Sequence, residues 1–300
     1  VVREQLPDNQ AGEAALSLEN AVQGNVIGRP VMLAYCTLCG AGILYDVTIP
    51  DLSYADTEGN LIEAGETVLE FGSTGMLMRS NKLMYDRNTN TVWNAFTGIP
   101  AFGDLATSGI ELPLLPVVVT TWSDWLEDHP DTSVLSLETG FARNYTNGAA
   151  YSDYFNDSNF IMFPSFQQNT ETVQNKEMIF GLTISDTPRA YPLAILVDEP
   201  VVNDTLDELD VVIISEASPE RDFFEPGGAA VRAYERAGLM FSLDDNGVLV
   251  DNMGDTWQLT EDALIAEDGR RLERIAGHLA FWFGWYGFYP ETDLYAVDVE

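Results

Sequence analysis

Thr120-Thr-Trp-Ser-Asp-Trp-Leu-Glu-Asp-His-Pro-Asp-Thr132 and Phe281-Trp-Phe-Gly-Trp-Tyr-Gly-Phe-Tyr-Pro-Glu-Thr292 share the pattern Trp-x-x-Trp-x4-Pro-x-Thr. Two indoles three residues apart fall on one face of a helix, and a proline five residues beyond the second Trp stops it. Working outward, Gly75-Met-Leu-Met78 and Asn90-Thr-Val-Trp93 match Gly238-Leu-Met-Phe241 and Gly254-Asp-Thr-Trp257. Farther upstream, Val31-Met-Leu-Ala-Tyr35 matches Val211-Val-Ile-Ile214. Matches recurring in one order point to an internal duplication.

Between these landmarks the chain is strand-rich. Short apolar runs at 31–35, 42–49, 116–121, 179–184, 211–215 and 247–251 are bounded by Gly, Pro, Asn and Asp. Asp244-Asp-Asn-Gly247 predicts a hairpin turn, because Asn-Gly tolerates positive φ, and residues 56–60 predict another. Helices are expected at 11–22, 121–128, 189–197, 259–266 and 279–288. The expected fold class is α+β: two degenerate repeats, each closed by a short Trp-x-x-Trp helix. Residues 1–143 form the first repeat with the Cys-x-x-Cys turn. Residues 144–178 form a connector, and 179–300 a second repeat without the cysteines.

Composition narrows the function. Forty-eight acids against 14 bases give a formal charge of −34. Only Lys82 and Lys176 are lysines. Such a surface repels nucleic acid, whose phosphates need Lys and Arg, and attracts inorganic cations. Self-repulsion of this size is screened by salt, which suits a halophilic or marine setting. No apolar run reaches the roughly 18 residues of a membrane-spanning helix. A chain that opens Val1-Val2 reads as a processed, exported product. Asn144, Asn156 and Asn203 stand in glycosylation sequons.

The chemistry-bearing stretch is Tyr35-Cys36-Thr-Leu-Cys39-Gly40. Two thiols at this spacing suit a disulfide, a metal such as copper or zinc, or redox chemistry. Met76, Met78 and Met84 offer soft thioethers near the cysteines in sequence, and His129 and His278 are the two imidazoles. The second repeat carries Ser215-Glu-Ala-Ser218 where the first carries its cysteines. Tyr85-Asp86-Arg87 reads as an internal acid–base pair that fixes a loop; Tyr35, Asp86 and Arg87 are candidate lining residues. Phe281–Tyr289, seven aromatics in nine positions, serves either as a stacking platform or, better, as a buried closing helix. No phosphate loop, dinucleotide fingerprint or nucleophile elbow occurs.

These motifs resemble the prokaryotic domain of unknown function 3179. Its members show Tyr-Cys-Pro-Leu-Cys-Gly, then Phe-Gly-x-Ser-Gly-x-Leu, matched here by Phe71-Gly-Ser-Thr-Gly-Met-Leu77. They continue with Met-Tyr-Asp-Arg-x-Thr-x-Ser-x-Trp, matched by Met84–Trp93, and the Trp-x-x-Trp segment through Thr132. Ala190-Tyr-Pro-Leu193 and Val202-Asn-Asp204 match the family's words in the second half. The family's Pro in the cysteine motif is Thr37, its His-Glu pair is Glu19-Asn20, and Gln23-Gly24 replaces Asn-Asp. Loss of that imidazole favours a structural cysteine turn over a catalytic one.

The expectation is an exported, acidic, extracellular or cell-surface protein, with the periplasm as an alternative. It would be non-enzymatic, bind cations such as calcium on surface carboxylates, and assemble into oligomers or filaments. The competing expectation is a metal- or thiol-dependent redox enzyme centred on Cys36 and Cys39.

Overall fold

The computed structural model describes residues 15–17, 30–56, 58–134, 136–145, 151–158, 160–163, 173–217 and 229–296. It divides into two compact units. One comprises Val1–Leu115 with Trp122–Phe166; the other comprises Pro116–Thr121 with Gln167–Glu300. Strands dominate both, with a few short helices, so the fold is α+β and strand-rich.

The first unit runs β1 (Ala15–Ser17), β2 (Pro30–Cys36), a 3-10 turn (Thr37–Cys39), β3 (Ala41–Asp46), β4 (Thr48–Ala55), β5 (Leu61–Val68), β6 (Phe71–Met78), β7 (Asn81–Asp86), β8 (Val92–Asn94), β9 (Pro100–Phe102), β10 (Leu114–Leu115), α1 (Trp122–Asp128) and α2 (Ser152–Asn156). Its sheets are ordered β1-β2-β3-β10, β4-β5 and β6-β7-β8-β9. In β2, Met32, Ala34 and Cys36 are buried while Leu33 and Tyr35 are exposed. That period of two puts Cys36 on the core face and turns Tyr35 outward. The expected turn at 56–60 joins β4 to β5, with Gly59 at φ 85°.

The second unit runs β11 (Met178–Ile184), β12 (Thr187–Pro192), α3 (Leu193–Asp198), β13 (Val201–Leu206), β14 (Leu209–Ala217), β15 (Ala229–Glu235), β16 (Phe241–Leu243), β17 (Leu249–Asp251), β18 (Trp257–Leu259), β19 (Ala263–Ala266), β20 (Arg271–Ile275), β21 (Gly277–Phe281), α4 (Trp282–Tyr286) and β22 (Asp293–Leu294). Its sheets are β21-β11-β12-β22, β13-β14-β15-β20-β19-β18 and β16-β17. Central strand β14 is buried continuously from Val211 to Ser215, as expected of a strand covered on both faces. Asp244–Gly247 makes the expected hairpin turn between β16 and β17.

Several local expectations are corrected. Residues 259–266 form the β18–β19 hairpin instead of a helix, because Ala263–Ile265 pair with Arg271–Glu273 of β20. Residues 189–192 are strand, paired with Ile179–Leu182, and the helix begins only at Leu193. Residues 279–281 are likewise strand; the helix occupies Trp282–Tyr286. Residues 116–121 carry no strand. The expected helix at 11–22 lies outside the described residues except at Ala15–Ser17, which are strand. Phe281, Trp282, Phe283 and Trp285 are core, while Tyr286, Phe288 and Tyr289 are half-buried, so the helix packs inward as a closing element. Trp285 lies so close over Gly181 that a Cβ there would sit 2.1 Å from the indole.

The two units repeat certain contacts. Trp93 donates its indole N–H to Asp86 at 2.8 Å, and Trp257 donates to Asp251 at 3.0 Å. Phe71 meets Trp93 edge-on at 5.6 Å, and Phe241 meets Trp257 edge-on at 5.5 Å. Trp125 donates to Thr132 at 2.9 Å, and Trp285 to Thr292 at 3.0 Å. Tyr45 pairs with Met32 across β2–β3, as Tyr234 pairs with Val212 across β14–β15. Ser215 sits inside the β14–β15 ladder facing Val231, with its hydroxyl donating to the Leu196 carbonyl.

Candidate functional site: a buried cysteine pair

The apolar strand β2 delivers Cys36 to the core, and the chain then closes a single 3-10 turn. Side chains three residues apart in such a turn eclipse one another, which brings Cys36 and Cys39 to the same side. Gly40 ends the turn in the left-handed region at φ 60°, where a side chain would be strained. Both cysteines are buried free thiols; Cys36 retains 8% exposure and Cys39 none.

The opposite wall comes from another sheet. Hairpin β6–β7 turns through Arg79 and Ser80, at φ 50° and 64°. A two-residue turn with both central residues left-handed is the tight hairpin form usually given to Asn and Gly. Holding Arg and Ser there costs conformational energy, and strain of this kind gathers at functional sites. The turn aims the Ser80 carbonyl at both sulfurs, 3.0 Å from Cys39 Sγ and 4.0 Å from Cys36 Sγ. The Ser80 hydroxyl, also buried, makes no hydrogen bond among the described residues. A third element covers the turn, since Tyr154 of α2 donates its hydroxyl to the Leu38 carbonyl at 2.6 Å.

The environment separates the thiols. A hydrogen bond from Cys39 lowers the Cys36 thiol to about 7, against the opposing effect of burial, and the backbone N–H groups of Lys82, Cys39 and Leu38 assist. Burial pushes the Cys39 thiol well up, reinforced by its donation to Cys36. Burial also raises the Tyr154 phenol. The arrangement is one acidic, slightly accessible sulfur backed by a sealed, protonated one.

The other sequence candidates lie elsewhere. Asp86 is at the far end of β7, about 20 Å of extended chain from Ser80. Its carboxylate accepts from Trp93, from the Thr89 N–H at 2.5 Å and from the Thr89 hydroxyl. The anticipated Asp86–Arg87 pair does not form, because adjacent strand-end residues point apart; the Arg87 guanidinium lies 5.3 Å from the Tyr85 ring centroid. Met84 fills core, whereas Met76 is exposed. The Asn203 side chain bonds both Phe241 N and Phe241 O, at 2.7 and 2.8 Å, so its amide is committed to the fold. Asn144 and Asn156 are exposed. The His129 ring lies tilted against Trp125 at 4.1 Å, and burial lowers the His278 imidazole to about 4. Among the described residues no three His, Cys, Asp or Glu gather into a metal-holding group.

A family model described as a protein of unknown function, DUF3179, matches residues 13–292. The chain belongs to that family. No curated protein and no solved structure matches it. Most of the motifs quoted from the sequence are fold-making here. The Asp86–Trp93 pair closes a hairpin, the Trp-x-x-Trp segments end in Trp–Thr bonds, and Gly72 makes room for the Tyr85 ring. The Ala190–Leu193 and Val202–Asp204 words join where Tyr191 and Arg189 both bond Asp204. The cysteine turn is the word whose side chains carry reactive chemistry. Ser80 and Tyr154, which complete it, escaped the sequence reading: neither residue type signals a cysteine partner, and each lies more than 40 positions away.

Proposed function

We propose that Cys36 and Cys39 form a reversible dithiol–disulfide couple and that the protein is a thiol-dependent redox protein. The observation that carries this reading is the asymmetry of the pair: the thiol with residual exposure is the acidic one, and its sealed neighbour sits one turn away. The Cys36 thiolate attacks one sulfur of a partner disulfide, R–S–S–R′; a Cys36–S–S–R bond forms and R′S⁻ leaves. The leaving thiolate takes the Cys39 proton. Cys39 sulfur then attacks Cys36 sulfur, releasing RS⁻ and closing the Cys36–Cys39 disulfide. Two electrons pass to the partner, and an external dithiol returns them. Equilibration in graded thiol–disulfide buffers, read by mass after alkylation, should give one two-electron transition lost in Cys36→Ser and in Cys39→Ser. A pair that interconverts only after denaturation would refute it.

The net charge of −34 supports a second, compatible reading: an exported, salt-adapted protein whose surface gathers cations. The matched Trp–Asp, Trp–Phe and Trp–Thr contacts support reading the two units as degenerate copies of one ancestor, of which only the first carries the thiols. Superposition of Trp93 on Trp257 and Trp125 on Trp285 in an experimental structure tests that.

A further inference from the structure

We infer that the reduced Cys36–Cys39 pair is a two-sulfur binding site for a soft monovalent cation, Cu(I). The inference rests on the reading above, that both residues are held as thiols on one turn. Three observations carry it further. The sulfurs face one shared point, the Ser80 carbonyl, from 3.0 and 4.0 Å, so a single ion can reach both. The donor set stops at two: among the described residues no third His, Cys, Asp or Glu joins them. Zn²⁺ asks for four ligands and Ca²⁺ for six or more oxygens, whereas Cu(I) is soft and satisfied by two thiolates in line. Finally, both cysteines are buried, and Cu(I) between two thiolates leaves one negative charge there instead of two. The Ser80 hydroxyl, on the residue whose carbonyl faces both sulfurs, is buried with no hydrogen bond among the described residues. The protein's negative field raises the local concentration of any cation.

Metallation removes the thiol protons: each sulfur loses one H⁺ to solvent and gains a bond to Cu(I), with no change in oxidation state. The test uses full-length protein, reduced and kept anaerobic, titrated into the Cu(I)–bicinchoninate complex. One copper per chain should transfer, seen as bleaching of the coloured probe. Cys36→Ser and Cys39→Ser, each checked for native circular dichroism, should transfer none, and a zinc–chromophore complex should give up no zinc. X-ray absorption of the loaded protein should show two sulfur scatterers. Failure to bleach the probe, equal bleaching by the Cys36→Ser/Cys39→Ser variant, zinc uptake at equal stoichiometry, or three or more protein scatterers would each overturn the proposal. Disulfide exchange is measured on the same preparation. A chain that exchanges but takes no Cu(I) defeats this inference alone; one that takes Cu(I) but never closes its disulfide defeats the redox reading alone.

Discussion

Alkylation of Cys36 as a function of pH gives the most direct reading of its surroundings. An ordinary thiol titrates near 9, and Cys36 is brought to about 7. The difference corresponds to about 2.7 kcal/mol in favour of the thiolate. At pH 7 about half of Cys36 is thiolate, against about 1% of an ordinary thiol. A more acidic thiolate is also a weaker nucleophile, by about eightfold over this interval. The net expectation at pH 7 is therefore about a sixfold advantage over an equally accessible ordinary thiol, vanishing near pH 8 and reversing above it. Incomplete access scales the whole profile without moving its midpoint, so the midpoint is the quantity to read. Native protein is pulsed with iodoacetamide across pH 5–10, and the Cys36 peptide is quantified by mass spectrometry. The urea-unfolded chain supplies the ordinary-thiol profile. The Cys36 midpoint should fall near 7, with Cys39 unmodified until the chain unfolds. Cys39→Ala removes the largest acidifying contact, and the midpoint should move up. A wild-type midpoint near 9, or one that Cys39→Ala leaves in place, would refute the donor–acceptor arrangement of the pair.

Gly181→Ala places a methyl group into the Trp285 indole and should cost about 1–3 kcal/mol in urea denaturation, less in a Trp285→Phe background. Trp93→Phe and Trp257→Phe each strand a buried carboxylate and should cost about 1–3 kcal/mol. Trp93→Phe should be the costlier, because Asp251 keeps the Met253 and Asp255 N–H groups and Arg270 at 4.0 Å, while among the described residues Asp86 keeps its Thr89 contacts; equal costs would count against that explanation. The melting temperature should climb from low to molar salt as the charge of −34 is screened, and a flat profile would remove the support for salt adaptation.

The parts of this protein written in its sequence are those whose causes are local. The Trp-x-x-Trp helices were legible because a three-residue spacing and a following proline act within a few positions, and both helices formed, at Trp122–Asp128 and Trp282–Tyr286. The Asp244–Gly247 turn was legible because a single Asn-Gly step settles its backbone. The cysteine turn was legible for the same reason: spacing and Gly40 place both sulfurs together. Residues 259–266 were not, since a short apolar run suits a helix or a strand equally, and pairing with Arg271–Glu273 decided. Nor was the character of the thiols. The Ser80 carbonyl that receives them, the Tyr154 hydroxyl that holds their turn, and the burial that drives their acidities apart come from segments 41 and 116 positions away. Sequence fixed the distance between the two sulfurs along the chain; desolvation and hydrogen bonding, which depend on what packs against them, decided which would be the acid.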